Sequence, residues 1–91
     1  EFIDFVLHNG ELDFFMEEIE VKERSHFQGL TIGEARARNQ TNANILAIKK
    51  KKENRLIAGP EPEVAIEEGD LLIILGTKGQ LKEMERLIAS A

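Results

Sequence analysis

The sequence predicts a small α+β domain: a mostly antiparallel β-sheet with helices on one face, in the order β-α-β-β-β-α. Three features predict this class. The run Leu71–Leu75 is apolar throughout, too short for a helix and typical of a strand buried on both faces. Capping boxes at Thr31 and Thr77 each mark the start of a helix. Strand-like runs at 44–49 and 55–58 are separated by a short polar link, as in a hairpin.

The first half of the chain is predicted to contain one strand and one helix. Residues 1–13 contain a short apolar segment, whose spacing suits a brief helix or the tail of an element from an upstream domain: Phe2, Ile3, Phe5, Val6 and Leu7. We expect this segment to connect that missing domain to a domain spanning 14–91. Phe14 to Val21 is predicted to be a strand, because Phe15, Ile19 and Val21 would share one face while Glu18 and Glu20 share the other. The box at Thr31 then begins a short helix, which the polar residues 39–42 end.

The second half is predicted to contain three strands and the last helix. The prolines in 59–62 break the sheet after the hairpin, because proline cannot donate to a ladder. Gly69-Asp70 is a turn dipeptide that leads into the strand Leu71–Leu75, and we expect Ile73 at its centre to be fully buried. The last helix has one apolar stripe, formed by Leu81, Met84, Leu87 and Ile88.

Size and charge limit the classes of function. The 91 residues make one small domain, which buries only about 60–65% of its unfolded surface, so a partner copy would add stability and we expect a dimer. Net charge is −5, yet residues 31–60 hold seven basic against two acidic residues. This pattern favours a local anion site over a surface that coats nucleic acid. The chain has no cysteine, which excludes disulfides and cysteine-ligated metals, and no apolar run approaches the ~20 residues that a membrane helix needs.

Two motifs that suggest enzymes have simpler interpretations. A nucleophile needs a base that a third group orients, and neighbouring residues such as Ser25 and His26 rarely point at each other. The run Gly76–Gly79 does not match the phosphate-loop pattern, and the helix cap already accounts for Thr77. We therefore predict that the domain is not an enzyme.

Two charged clusters leave alternatives open. Glu17, Glu18 and Glu20 would supply oxygens to calcium only if they converged, whereas on a strand Glu17 points away from the other two. A solvated face is the favoured interpretation, and no metal site is predicted. The run Lys49–Lys52 either keeps a hairpin tip soluble, which we favour, or contacts anionic lipid headgroups.

The segment 66–81 also carries a family resemblance. It reads I-x-x-G-D-x-L-x-x-L-G-T-x-x-Q-L, which is similar to the end of the C-terminal domain of the regulator-of-potassium-conductance family, called RCK_C or TrkA_C. Earlier parts of the chain agree in order and spacing, so that the resemblance covers roughly residues 14–88: Glu18–Val21 with Ser25, Gly29–Ile32, and Asn44–Ile48 with Pro60. The resemblance implies the same α+β fold that the pattern predicts.

In family members that bind cyclic di-AMP, the resemblance places the ligand between two copies of the domain. It implies four ligand-binding positions in this chain: Ile32, Arg38, Asn44 and Pro60. Arginine can grip a phosphate with two hydrogen bonds, and an asparagine amide can both donate to and accept from an adenine edge. Arg36 is expected to matter less, because it lies two positions before Arg38 and points off that helix face. At position 33 this chain has glycine where the binders tend to carry a second aliphatic residue.

The resemblance implies a regulatory function. We expect a cytoplasmic ligand-binding and dimerisation domain of a potassium channel or potassium uptake system, which couples effector binding to gating on the cytoplasmic side of the membrane. Its partners would be a second copy and a membrane channel or transporter subunit, without nucleic acid. The effector would be cyclic di-AMP, with Ca²⁺ the less favoured ligand. The alternatives are a regulatory domain of another cation or anion transporter or antiporter, and a structural dimerisation module without a ligand.

Overall fold

The computed structural model of the chain describes residues 2–10 and 12–89. These form one five-stranded antiparallel sheet, in the order β1-β2-β5-β3-β4, and two helices. The predicted α+β class is therefore confirmed, with β5 at the centre of the sheet. In chain order the elements are β1 (Phe2–Asn9), β2 (Leu12–Glu20), α1 (Ile32–Arg38), β3 (Asn44–Lys50), β4 (Arg55–Ala58), β5 (Leu71–Gly76) and α2 (Lys78–Ala89).

The strand β1 corrects the prediction of a brief helix near the N-terminus. It pairs with β2 from Asn9 opposite Leu12 to Phe2 opposite Glu17, across a tight turn that has Gly10 at a φ of +63°. Asn9 is paired, so Gly10 is the first central residue of the connection, a position where hairpin turns require a positive φ and favour glycine. Two register shifts interrupt the pairing and with it the period-two alternation by which a strand is recognised. That residues 1–13 connect to an upstream domain stays a prediction.

Both helices begin at the capping boxes that the sequence predicts. At α1, the Thr31 hydroxyl accepts from the Glu34 amide at 3.1 Å, and the Glu34 carboxylate accepts from the Thr31 amide at 2.9 Å. At α2, Thr77 and Gln80 exchange the corresponding bonds at 3.2 and 2.9 Å. Each box satisfies two amide groups that a helix start would otherwise leave without partners, so these boundaries are set locally.

The helices pack on the same face of the sheet, where the apolar core lies. From β2, Ile19 faces this core with Leu72 and Ile74 of β5. Alternation along β2 places Glu18 and Glu20 on the opposite face, as predicted. The helices and loops contribute the rest, chiefly Phe27, Ile32, Ala35, Ile66, Leu81, Met84 and Ile88.

The prediction that β5 is buried on both faces is wrong for the single chain. Leu72 and Ile74 are fully buried, but Leu71, Ile73 and Leu75 point to the other face and are only half-buried. The reason is that the helices cover one face only. We call the uncovered side the open sheet face, and its apolar residues are Met16, Leu46, Leu56, Leu71, Ile73 and Leu75.

A buried ion pair fastens β3 to the turn before β5. The Lys50 ammonium, on a side chain only 6% exposed, lies 2.5 Å from the carboxylate of Asp70, 3.1 Å from Glu67 and 2.7 Å from the carbonyl of Ala65. Asp70 also accepts from the amides of Lys51 and Glu67 at 2.9 and 2.8 Å. Burial alone would lower the pKa of Lys50, but its hydrogen bonds with the two carboxylates outweigh burial and raise that pKa.

Candidate functional site

The cleft beside the start of β3 is the candidate ligand site. It measures about 470 Å³ and opens between the end of α1, the loop after it and the start of β3. We call it the α1–β3 cleft, and its lining residues are Arg36, Asn39, Asn42, Ala43, Asn44, Ile45 and Leu46. One cation and three amide side chains among these residues suit a polar, anionic ligand with ring edges to recognise.

The guanidinium of Arg36, which lines this cleft, bridges two backbone carbonyls from different segments of the chain. Its Nη1 donates to the carbonyl of Pro60 at 3.3 Å, and its Nη2 donates to the carbonyl of Ile45 at 3.3 Å. Pairing between β3 and β4 ends at Ala47 opposite Ala58, so Ile45 lies beyond the end of β4. The side chain of Arg36 thus supplies a donor to β3 where the neighbouring strand has ended.

The side chain of Asn39 hydrogen-bonds across the loop between α1 and β3. The side-chain nitrogen of Asn39, Nδ2, donates to the carbonyl of Ala43 at 2.7 Å. Its side-chain oxygen, Oδ1, accepts from the backbone amide and the hydroxyl of Thr41 at 2.9 and 2.6 Å. Asn42 adopts a φ of +69°, a left-handed conformation that asparagine tolerates better than most residues. These contacts fix where the chain enters β3 and therefore where Asn44 lies.

Of the four predicted ligand residues, the structure places Asn44 among the residues that line the α1–β3 cleft, where it is exposed. Pro60 does not line the cleft, but its carbonyl accepts from Arg36, which does. Ile32 is fully buried in the core. Arg38 is exposed and lines a different cleft, of about 570 Å³, between the end of α1 and α2. The ligand role of these four residues stays a prediction.

Arg36 lines this cleft, although the sequence analysis did not include it among the four ligand-binding positions. A signal for it exists in the sequence, because Arg36 follows Ile32 by four positions and Ile32 faces the core. Residues four apart share a helix face, so Arg36 lies at the edge of the buried face and reaches backbone that Arg38 does not.

The glycine at position 33 also has a structural explanation. A Cβ atom there would lie 3.1 Å from the Cβ and 3.2 Å from the carbonyl oxygen of Pro62, closer than ordinary contact. The Gly33 amide donates to that same carbonyl at 2.9 Å. Close packing of α1 on the segment after β4 therefore excludes an aliphatic side chain at this position unless Pro62 moves.

Ser25 is a structural residue at the end of α2. Its hydroxyl donates to the carbonyl of Ile88 at 2.5 Å and accepts from the amide of Phe27 at 3.0 Å. Ile88 lies in the last turn of α2, where carbonyls lack partners within the helix. Both bonds are to main-chain atoms, which supports the interpretation of Ser25 as a loop residue.

Glu17 is buried beneath α2 in the described structure. Burial, a hydrogen bond with Glu85 and the charge of Glu85 raise the pKa of Glu17 to about 7. Glu17 faces the core while Glu18 and Glu20 face away from it. Among the residues that the structure describes, no three acidic or histidine side chains converge as a metal site would require.

Within residues 2–10 and 12–89, neither helix is long and apolar enough to cross a membrane.

Two relatives are potassium channel proteins of Methanocaldococcus jannaschii. Probable potassium channel protein 2 is 29% identical over 87 residues, covering 96% of this chain and 25% of that protein. Potassium channel protein 1 is 39% identical over 51 residues, covering 56% of this chain and 15% of that protein. The chain therefore spans a quarter or less of the length of these relatives.

Solved structures with the same fold include ligand complexes. The RCK_C domain dimer of S. agalactiae BusR in complex with c-di-AMP has a TM-score of 0.68 and 33% identity, covering 79% of this chain and 92% of that one. The RCK C domain of the potassium transport protein KtrA, also in complex with c-di-AMP, has a TM-score of 0.67 and 33% identity, covering 80% and 81%.

A second BusR structure contains a longer BusR chain in complex with its busAB-promotor DNA. The similarity has a TM-score of 0.68 and 33% identity, and it covers 79% of this chain and 34% of that BusR chain. That DNA is a partner of BusR, and the absence of a nucleic-acid partner for this chain stays a prediction.

The chain also matches a family model. Residues 16–89 match the model of the TrkA-C domain. Because this match covers most of the chain, and solved RCK_C domains share its fold, the chain belongs to the TrkA-C domain family.

Proposed function

We propose that this chain is a regulatory ligand-binding and dimerisation domain of a potassium channel or potassium uptake system. In this proposal the domain works on the cytoplasmic side of the cell membrane. Binding of an effector changes the geometry of a dimer, and that change alters the state of an attached gate. The observation that carries the proposal is the similarity, at 33% identity over about four fifths of the chain, to two domains solved with c-di-AMP.

The polar α1–β3 cleft supports cyclic di-AMP as the effector. We propose that Asn44 contacts an adenine edge in this cleft and that Arg38, which is exposed in the separate cleft between the end of α1 and α2, contacts a phosphate of the same ligand. Pro60, whose carbonyl accepts from Arg36, would lie beside the ligand. Ile32, which is fully buried, would support the cleft from within the core.

The open sheet face supports a homodimer. Ile73 and Leu75 are half-buried there, and Leu46 and Leu56 are 37% and 60% exposed, so an apolar strip remains that a second copy would cover. Asn44 pairs with Leu75 and therefore lies at the border of this face and the cleft. A ligand in the cleft would then touch the seam between two copies, which is where a change in dimer geometry begins.

Calorimetry with cyclic di-AMP tests the proposal. We expect the wild type to bind it with one ligand per dimer. Arg38→Ala should weaken binding by about a hundredfold or more, because a symmetric ligand loses two charge-assisted contacts at once. Arg24→Ala is a matched control, since Arg24 is also an exposed arginine but lines neither cleft named above. No heat from the wild type would reject cyclic di-AMP as the effector.

The second candidate function is a dimerisation module without a ligand. Gly33 favours it, because this chain lacks the second aliphatic side chain that binders tend to carry there, and a Cβ at that position would lie only 3.1 Å from Pro62. A dimer by sedimentation together with no binding of cyclic di-AMP would support this alternative. The regulatory domain of another cation or anion transporter is the third alternative.

A further inference from the structure

Arg36 lines the α1–β3 cleft and joins two backbone segments: the start of β3, which also lines the cleft, and the segment after β4. Its fork reaches Pro60 after β4 on one side and Ile45 in β3 on the other. Beside these contacts, one backbone bond joins the same two segments: the Gly59 amide donates to the carbonyl of Leu46 at 2.8 Å. Just beyond it, the β3–β4 ladder ends.

We propose that Arg36 is a positioning residue for the ligand, acting through the backbone and not through a contact with the ligand itself. This inference rests on the proposed function. By bridging the two carbonyls, Arg36 sets the spacing between Asn44 on β3 and the segment at Pro60. A cleft held at the bound spacing loses less conformational entropy when a ligand enters, which strengthens binding.

The bridge needs the shape of arginine as well as its charge. Two terminal nitrogens of one planar group donate to two separate carbonyls. A lysine ammonium would stand near the position of the arginine Cζ, one bond short of both nitrogens. Arg36→Lys therefore keeps the positive charge in the cleft and removes the bridge, which separates positioning from attraction of an anion.

Binding of cyclic di-AMP to this chain is the first measurement. We expect Arg36→Lys and Arg36→Ala to weaken binding alike, each by about tenfold or more. The salt dependence of binding should be the same for Arg36→Lys as for the wild type. Arg55→Lys is the matched control, because Arg55 is exposed at the far end of β4 and pairs only loosely with Glu53 at 3.6 Å. If Arg36→Lys binds as tightly as the wild type, charge alone matters and the proposal is overturned.

Hydrogen exchange without a ligand is the second measurement, and it distinguishes failure of this inference from failure of the proposed function. In Arg36→Lys, the amide of Gly59 should exchange about tenfold faster or more, because the segment at Pro60 is released. The amide of Val21, which donates to the carbonyl of Asp70 at 2.8 Å far from the cleft, should keep its rate. Equal changes at both amides would indicate global destabilisation, and no change at Gly59 would show that Arg36 fastens nothing. If the wild type binds no cyclic di-AMP, the proposed function fails and these rates alone decide what Arg36 does.

Discussion

Replacing Asp70 by asparagine removes the buried negative charge that pairs with the Lys50 ammonium. Asp70 is 1% exposed and accepts three hydrogen bonds, from the Lys50 ammonium and from the amides of Lys51 and Glu67. Asparagine has almost the same volume, so no cavity forms. Its amide group, however, offers donors where the structure supplies only donors, and it leaves the ammonium of Lys50 buried without its nearest carboxylate.

The cost follows from that buried ammonium. Removing one partner of a buried ion pair destabilises a protein by about 3–5 kcal/mol, mainly because the remaining charge is left without compensation. Lys50 keeps its contacts with Glu67 and with the carbonyl of Ala65, so we expect the lower end of that range, about 3 kcal/mol. A domain of this size has a free energy of unfolding of only about 5–14 kcal/mol, so the loss is a large fraction of the total.

Urea unfolding measures the effect. With a slope near 1 kcal/mol/M, the midpoint of Asp70→Asn should fall by about 2–3 M. Glu53→Gln is the control, because its pair with Arg55 is exposed on both sides and should contribute at most about 1 kcal/mol. In a double-mutant cycle, Lys50→Met should make the loss at Asp70 smaller by about 1–3 kcal/mol, since no ammonium is left unpaired. Additive losses at the two positions, or a midpoint for Asp70→Asn equal to that of the control, would refute this reasoning.

Three further predictions concern Glu17, Ser25 and Ile73. As pH rises from about 4.5 to about 7, the free energy of unfolding should fall by up to about 3 kcal/mol, because Glu17 ionises near 4.5 in the unfolded chain but only near 7 in the fold. Glu17→Gln should remove this dependence in urea titrations across that range; an unchanged slope would contradict the assignment. Ser25→Ala should lower the free energy of unfolding by about 1–3 kcal/mol, by loss of its buried bonds to Ile88 and Phe27, and equal midpoints would speak against it. Ile73→Lys should leave the fold intact but give monomers in sedimentation; a persistent dimer would show that the open sheet face is not the seam.

Local sequence rules predicted the helices and the central strands of this fold. Each capping box needs only four consecutive residues, so Thr31 and Thr77 mark helix starts whatever surrounds them. The strand β1 was missed because its register shifts depend on pairing with β2 and leave no regular alternation in the sequence. The candidate site was only partly foreseen. Asn44 lies in the cleft as expected, but the two hydrogen bonds of Arg36 are made with carbonyls 9 and 24 residues away along the chain, which no local pattern predicts.

The sequence by itself determined the family, the α+β class, both helix starts and the apolar character of the strand Leu71–Leu75, because residue types and their spacing along the chain are enough to recognise each of them. Only the tertiary structure decided which side of that strand is covered. Five apolar residues in succession say that both faces avoid water, but not whether a helix of the same chain or another molecule covers each face. Here α1 and α2 cover Leu72 and Ile74, and Ile73 remains half-buried. Likewise, only folding placed Lys50 and Asp70 together, since packing and not sequence distance joins residues 20 positions apart.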